Sequence, residues 1–321
     1  MSAPDLRVRI GSLGLANPVL AASGTFGYGD ELAHVVDPAR LGAVITKTVT
    51  VAPRPGNPAP RIAESAAGML NSIGLENVGL ARFRAEKVPK LASLGATIVA
   101  SIGGETAEEL ATLLGTLAGE PAIAAFEVNF SCPNVNEGGA RYWTDARRLE
   151  HTLRSLRRLT DKPLVAKLSP DVTSIAELAV ACEAGGADAL TAVNTFVALS
   201  VDLATGRSRI NRVTGGLSGA AIKPLALARC YECVQAVRIP VIGSGGALTA
   251  RDALEFLAIG AVAVQIGTAS FVRPRAVLDV VEGVAAAIAA AGADSIAAWR
   301  ASLRLAAEAS HAGGPALVAS R

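Results

Sequence analysis

The chain of 321 residues is poor in cysteine and in aromatic side chains. Its four cysteines, at 132, 182, 230 and 233, are too few to staple a protein of this size and fit a reducing compartment. Aromatics make up 4% of residues, so any core must be built from Ala, Val, Leu and Ile, and a hydrophobic content of 51% supplies them in quantity. Charge of one sign is also missing: 30 Lys and Arg stand against 28 Asp and Glu, with no long run of either. A nucleic-acid partner, which calls for a basic face, is therefore not expected. The most apolar late stretch, AVLDVVEGVAAAIAAAGA from Ala276, is interrupted by Asp279 and Glu282 and reads as a packed helix rather than a bilayer span. The opening residues, MSAPDLRVRIGSLGL, put Asp5, Arg7 and Arg9 where an export signal needs its apolar segment. A soluble, cytoplasmic protein without a membrane partner is expected.

Short runs of β-branched and small apolar residues recur along the chain, separated by helical patterns. They are NPVLAAS (17–23), GAVITKT (42–48), ATIVASIGG (96–104), AAFEVNF (124–130), PLVAKLS (163–169), ALTAVNT (189–195), IPVIGSGG (239–246) and AVAVQIGT (261–268). Thr106 with Glu109, Ser174 with Glu177, and Thr249 with Asp252 have the spacing of capping boxes at helix starts. From Thr144 onward, Leu149, Leu153, Leu156 and Leu159 define one apolar helical stripe. Continuous apolar strands alternating with helices predict an α/β fold, a (β/α)8 TIM barrel in a single domain spanning 1–321. An open doubly wound sheet competes, but no GxGxxG follows an early strand. Two connections, Val49 to about Val78 and Phe196 to about Ser218, exceed what a barrel needs and are expected to extend over its C-terminal mouth. Residues 311–321 carry little pattern and are expected to form a loosely ordered tail.

In a barrel, chemistry sits at the C-terminal strand ends. Those ends read Ser23, Lys47, Ser101, Asn129, Lys167, Asn194, Gly245 and Gly267. Lysines directly after apolar strands need an anion or a structural carboxylate, because burying an unpaired ammonium costs several kcal/mol. GSGG (243–246) and IGT (266–268) end the last two strands, where barrel enzymes commonly grip phosphate with glycine-exposed backbone N–H groups. Asn71, Asn129, Asn134 and Asn194 would offer paired donors and acceptors to a planar ring bearing amides. Cys132 lies three residues past Asn129, on a stretch held by the following Pro133 and loosened by Gly138 and Gly139; a thiol at the mouth near lysines can act as nucleophile or base, whereas a buried one is inert packing. Cys230 and Cys233 form the chain's CxxC pair, in a segment that looks helical and lacks a second ligand pair; a structural role is expected, and no metal site.

The stretches NPVLAASGTFGYGDE, ITKTVTVAPRPGNPAPRIAE, GMLNSIGLENVG, NFSCPNV, NTFVALSVD, TGGLSG, VIGSGG and QIGT, in this order from about Leu15 to Phe271, resemble the catalytic flavoprotein of class 1 dihydroorotate dehydrogenase. NVNEGG and PRPGNPAPR are more similar to the NAD-linked type, often called 1B, than to the fumarate-linked 1A type. The resemblance implies oxidation of dihydroorotate to orotate in de novo pyrimidine biosynthesis, with FMN as cofactor. Ser23, Lys47, Thr48, Asn129, Lys167, Val193, Gly219, Gly245, Gly246, Gly267 and Thr268 would then hold FMN. Lys47, Asn71, Ser72, Ile73, Gly74, Leu75, Asn129, Asn134, Asn194 and Thr195 would meet the substrate. Cys132 would take the C5 proton while the C6 hydride passes to the flavin. FAD and a 2Fe–2S centre would belong to an electron-transfer partner, in a heterotetramer built on a homodimer of this chain. Many relatives carry asparagine at the third strand end, where this chain has Ser101.

Related flavin barrels set the alternatives. A dihydropyrimidine dehydrogenase handles an uncharged ring and needs fewer cations than Lys47 and Lys167 supply. A tRNA dihydrouridine synthase should carry a basic face that the near-neutral charge does not provide. A non-catalytic phosphate-binding barrel would ignore dihydroorotate altogether.

Overall fold

Eight short apolar segments pair in parallel and close on themselves, which leaves no free sheet edge. The computed structural model describes residues 3–130 and 144–310. In chain order the barrel strands are Val19–Ala21, Ala43–Ile45, Ile98–Ile102, Ala125–Asn129, Leu164–Lys167, Ala189–Ala192, Val241–Ser244 and Ala263–Ile266. Each falls inside one of the eight segments read from the sequence. The pattern is continuous rather than alternating because both faces are covered: Ala43, Val44 and Ile45 are all buried, one set against the lumen and the other against helices.

Outside the barrel, helices present leucine stripes to the strands. In Ala107–Leu117 the buried positions are Leu110, Leu113, Leu114 and Leu117, the spacing of one helical face. Its start is fixed by Thr106, whose hydroxyl accepts from the Glu109 N–H at 3.2 Å. Ser174 caps Ile175–Ala184 in the same way. At both, only the hydroxyl arm of the expected box forms; Glu109 turns its carboxylate to the Glu105 N–H instead. Thr249 and Asp252 form the complete reciprocal box before Ala250–Ala258. Helix Ala146–Arg157 buries Leu149, Leu153 and Leu156 but ends before Leu159, which is 41% exposed and leaves the expected stripe. Cys230 and Cys233 lie in helix Lys223–Ala236 and are fully buried; desolvation raises both thiols, Cys233 to about 12, so neither offers a thiolate.

The two long connections do more than extend over the mouth. Ile62–Ser65, Gly68–Asn71, Gly215–Ser218 and Phe196–Ala198 pair antiparallel as one four-stranded sheet with its own small core of Ala63, Leu70 and Ile210. At the opposite end a hairpin, Val8–Ile10 with Leu13–Leu15, buries Ile10 and Leu15, and its turn at Gly11 packs on Asp188, just before the sixth strand. Among the described residues no helix is long and apolar enough to cross a membrane.

Candidate active site

The mouth of the barrel opens into a cavity of about 380 Å3, within the range of small-molecule and cofactor sites. Its floor is made by strand ends. Asn129 on the fourth strand and Lys167 on the fifth are register partners and both line it. Lys167 is nearly buried, and its ammonium lies 3.5 Å from Glu127 Oε1 and 3.3 Å from Gln265 Oε1. This lysine therefore meets a structural carboxylate as well as the cavity.

Lys47 stands differently. It lines the same cavity, but among the described residues no carboxylate pairs with its ammonium. Burial pushes its pKa down, Glu76 pulls it back up and Arg61 opposes that. A desolvated cation of this kind gains when an anion enters beside it. Glu76 does not neutralise it directly, because its carboxylate is held by Arg61 at 2.9 Å.

One side of the cavity is a glycine rim. Gly245 and Gly246 have φ of 123° and 78°, and a Cβ on Gly246 would sit 2.6 Å from the Lys223 backbone. Only glycine can end the seventh strand this way, which leaves backbone facing the cavity. Gly267 and Thr268 complete the rim, with Thr268 donating its hydroxyl proton to Ser218 Oγ at 2.8 Å. Next to this rim, at the end of the first strand, Ser23 donates to the Thr46 carbonyl at 2.8 Å and lies 3.2 Å from Thr48 Oγ1. Asn71 from the overlying sheet donates to the Gly216 carbonyl at 3.0 Å, and the Asn194 side-chain oxygen accepts from the Thr195 N–H. Cationic floor, glycine rim and amide walls converge on one space.

The sequence profile of dihydroorotate dehydrogenase matches residues 5–288. The chain belongs to the dihydroorotate dehydrogenase family. It is 50% identical over 281 residues to the protein of Trichlorobacter lovleyi named dihydroorotate dehydrogenase B (NAD(+)), catalytic subunit, covering 88% of this chain and 92% of that one. A protein of the same name from Caldicellulosiruptor saccharolyticus is 44% identical over 292 residues, covering 91% and 97%. Among solved structures, DHODH from Eimeria tenella in complex with ferulenol superposes with a TM-score of 0.75 at 21% identity, covering 90% of this chain and 85% of that one, a likeness of fold.

Within this family member, most residues singled out from the sequence line the cavity: Ser23, Lys47, Thr48, Asn71, Ile73, Leu75, Asn129, Lys167, Val193, Asn194, Thr195, Gly245, Gly246, Gly267 and Thr268. Ser72, Gly74 and Gly219 do not. Ser72 is fully buried and accepts from Asn57 at 2.8 Å, Gly74 packs on the same Asn57, and Gly219 lies against Gly68. They shape the walls from behind. Cys132 and Asn134 lie outside the described residues. Ser101 is fully buried one position inside the third strand, sharing a 2.8 Å hydrogen bond with Thr48 Oγ1, so it supports the wall rather than facing the cavity. Sequence reasoning missed Ile62, Met69, Glu76, Ser218 and Gln265, which also line the site. Gln265 carried a signal, being a polar residue inside an otherwise apolar strand.

Proposed function

We propose that this chain is the catalytic subunit of an NAD-linked dihydroorotate dehydrogenase, oxidising dihydroorotate to orotate in de novo pyrimidine biosynthesis in the cytoplasm. The observation that carries the reading is that Lys47 and Lys167 enter one cavity beside a glycine rim. That donor set suits two anionic ligands, a phosphorylated cofactor and a carboxylate-bearing ring.

FMN fits these residues. Gly245, Gly246, Gly267 and Thr268 would hold its phosphate, while Ser23, Thr48, Asn129, Lys167 and Val193 would surround the ring and ribityl chain. When bound, FMN supplies the two-electron acceptor for the oxidation. Lys47 binds the substrate carboxylate, and Asn71, Asn129, Asn194 and Thr195 orient its ring amides, with Asn134 and the backbone near Ile73 and Leu75 closing around it. Gly219, Ser72 and Gly74 contribute by fixing the backbone of these walls. Cys132, as thiolate, takes the proton from C5 as the C6 hydride departs; a positioned base of this kind contributes about 10²- to 10⁴-fold in rate. Asn129, three residues before it in the chain, lines the cavity floor.

The relatives named as NAD-linked catalytic subunits support NAD as the final acceptor over fumarate. A partner carrying FAD and a 2Fe–2S centre would relay the electrons, with two copies of each chain in the assembly. The desolvated Lys47 argues against an uncharged dihydropyrimidine as substrate. The reading is tested by mixing dihydroorotate and NAD with the complex of this chain and its partner, without oxygen: orotate and NADH should form together, one for one. Orotate formation with fumarate alone would replace the NAD assignment.

A further inference from the structure

TIM-barrel interiors are normally filled by branched apolar side chains. Beneath this cavity the lumen instead holds a closed polar layer. Glu127, fully buried on the fourth strand, is joined there by Lys167, Thr191 and Gln265 from the fifth, sixth and eighth strands. Glu127 Oε2 accepts from Thr191 Oγ1 at 2.9 Å and from Gln265 Nε2 at 2.5 Å. Its other oxygen faces the Lys167 ammonium at 3.5 Å, and Gln265 Oε1 accepts from that ammonium at 3.3 Å. The Gln265 amide thus bridges the two charges, whose direct ion pair is a long one at 3.5 Å. Of the four, Lys167 and Gln265 reach the cavity.

A buried ion pair is often no more stabilising than apolar residues of the same volume, so stability alone gives a weak reason for this layer. Its geometry gives a better one. The carboxylate is one ammonium away from the ligand space, in a lumen where charges are weakly screened. We propose that Glu127 is a positioning residue that acts through Lys167: with Gln265 as bridge, it fixes the ammonium at the cavity floor and sets how much positive charge a bound flavin meets. The inference rests on the flavin reading above.

Removing the negative charge leaves Lys167 less offset and makes a flavin above it easier to reduce. Removing the Gln265 bridge lets the ammonium close on Glu127 and does the opposite. The test is the equilibrium of FMN-loaded protein with a reference dye at pH 7, without oxygen. At a fixed ambient potential, Glu127→Gln should raise the ratio of reduced to oxidised flavin at least tenfold, an upward shift of about 30 mV for a two-electron couple. Gln265→Met should lower it at least threefold, and Glu127→Asp, which keeps the charge, should stay within threefold of wild type. A layer that only filled space would lower Tm in these variants and leave the ratio alone. An unchanged or lowered ratio in folded Glu127→Gln overturns the inference; if that variant fails to fold, an unchanged or raised ratio in Gln265→Met does so. A wild-type protein that takes up no FMN overturns the cofactor reading and this inference with it, an outcome distinct from a flavin-loaded wild type whose variants do not shift.

Discussion

Asn129 and Lys167 are register partners on adjacent barrel strands, so a neutral amide and a cation stand side by side on the cavity floor. The cation is suited to charge that develops during flavin reduction, which is where fixed electrostatics act most strongly. Lys167→Ala should slow reduction of the bound flavin by dihydroorotate about 10²-fold, measured by stopped flow. It should also lower Tm, because the buried Glu127 carboxylate loses its counter-charge.

Cys132→Ala should retain flavin and lose about 10²- to 10⁴-fold in turnover. Cys132→Ser should recover part of that loss as pH rises, since a hydroxyl gives up its proton less readily than a thiol. Flavin absorbance and steady-state rates across pH check both; full activity in the alanine variant would remove the base assignment.

Burial lowers the pKa of Lys47, so its charge is lost at a lower pH than that of a solvent lysine. Orotate binding should therefore weaken on the alkaline side, and an entering carboxylate should draw the proton back. Lys47→Met should raise KM for dihydroorotate about 10- to 100-fold, the worth of one charge-assisted hydrogen bond, and flatten that alkaline limb. Orotate titrations at several pH values measure it.

Gly246→Ala places a methyl group 2.6 Å from the Lys223 backbone at a φ of 78°. The strand end must shift, costing about 1–3 kcal/mol. The purified variant should contain less FMN than wild type and melt earlier.

The barrel was legible because its strands are buried on both faces and read as unbroken apolar runs, and because hydroxyls at Thr106, Ser174 and Thr249 mark helix starts. The overlying sheet was not. It pairs Asn71 with Gly216, residues far apart in the chain, and such pairing leaves no local period to read. The glycine rim and both lysines could be found from strand ends alone. Glu127 was passed over inside AAFEVNF, although a carboxylate in an otherwise apolar strand already implies a buried cation, and PLVAKLS supplies it. Leu159 misled because helical spacing continues past the point where the helix stops.

Adding dihydroorotate to the purified, FMN-loaded chain in the absence of oxygen tests the account most directly. The flavin absorbance near the visible maximum should bleach within the first turnover, with one orotate formed per flavin reduced. A flavin that stays oxidised in the presence of saturating dihydroorotate would contradict it.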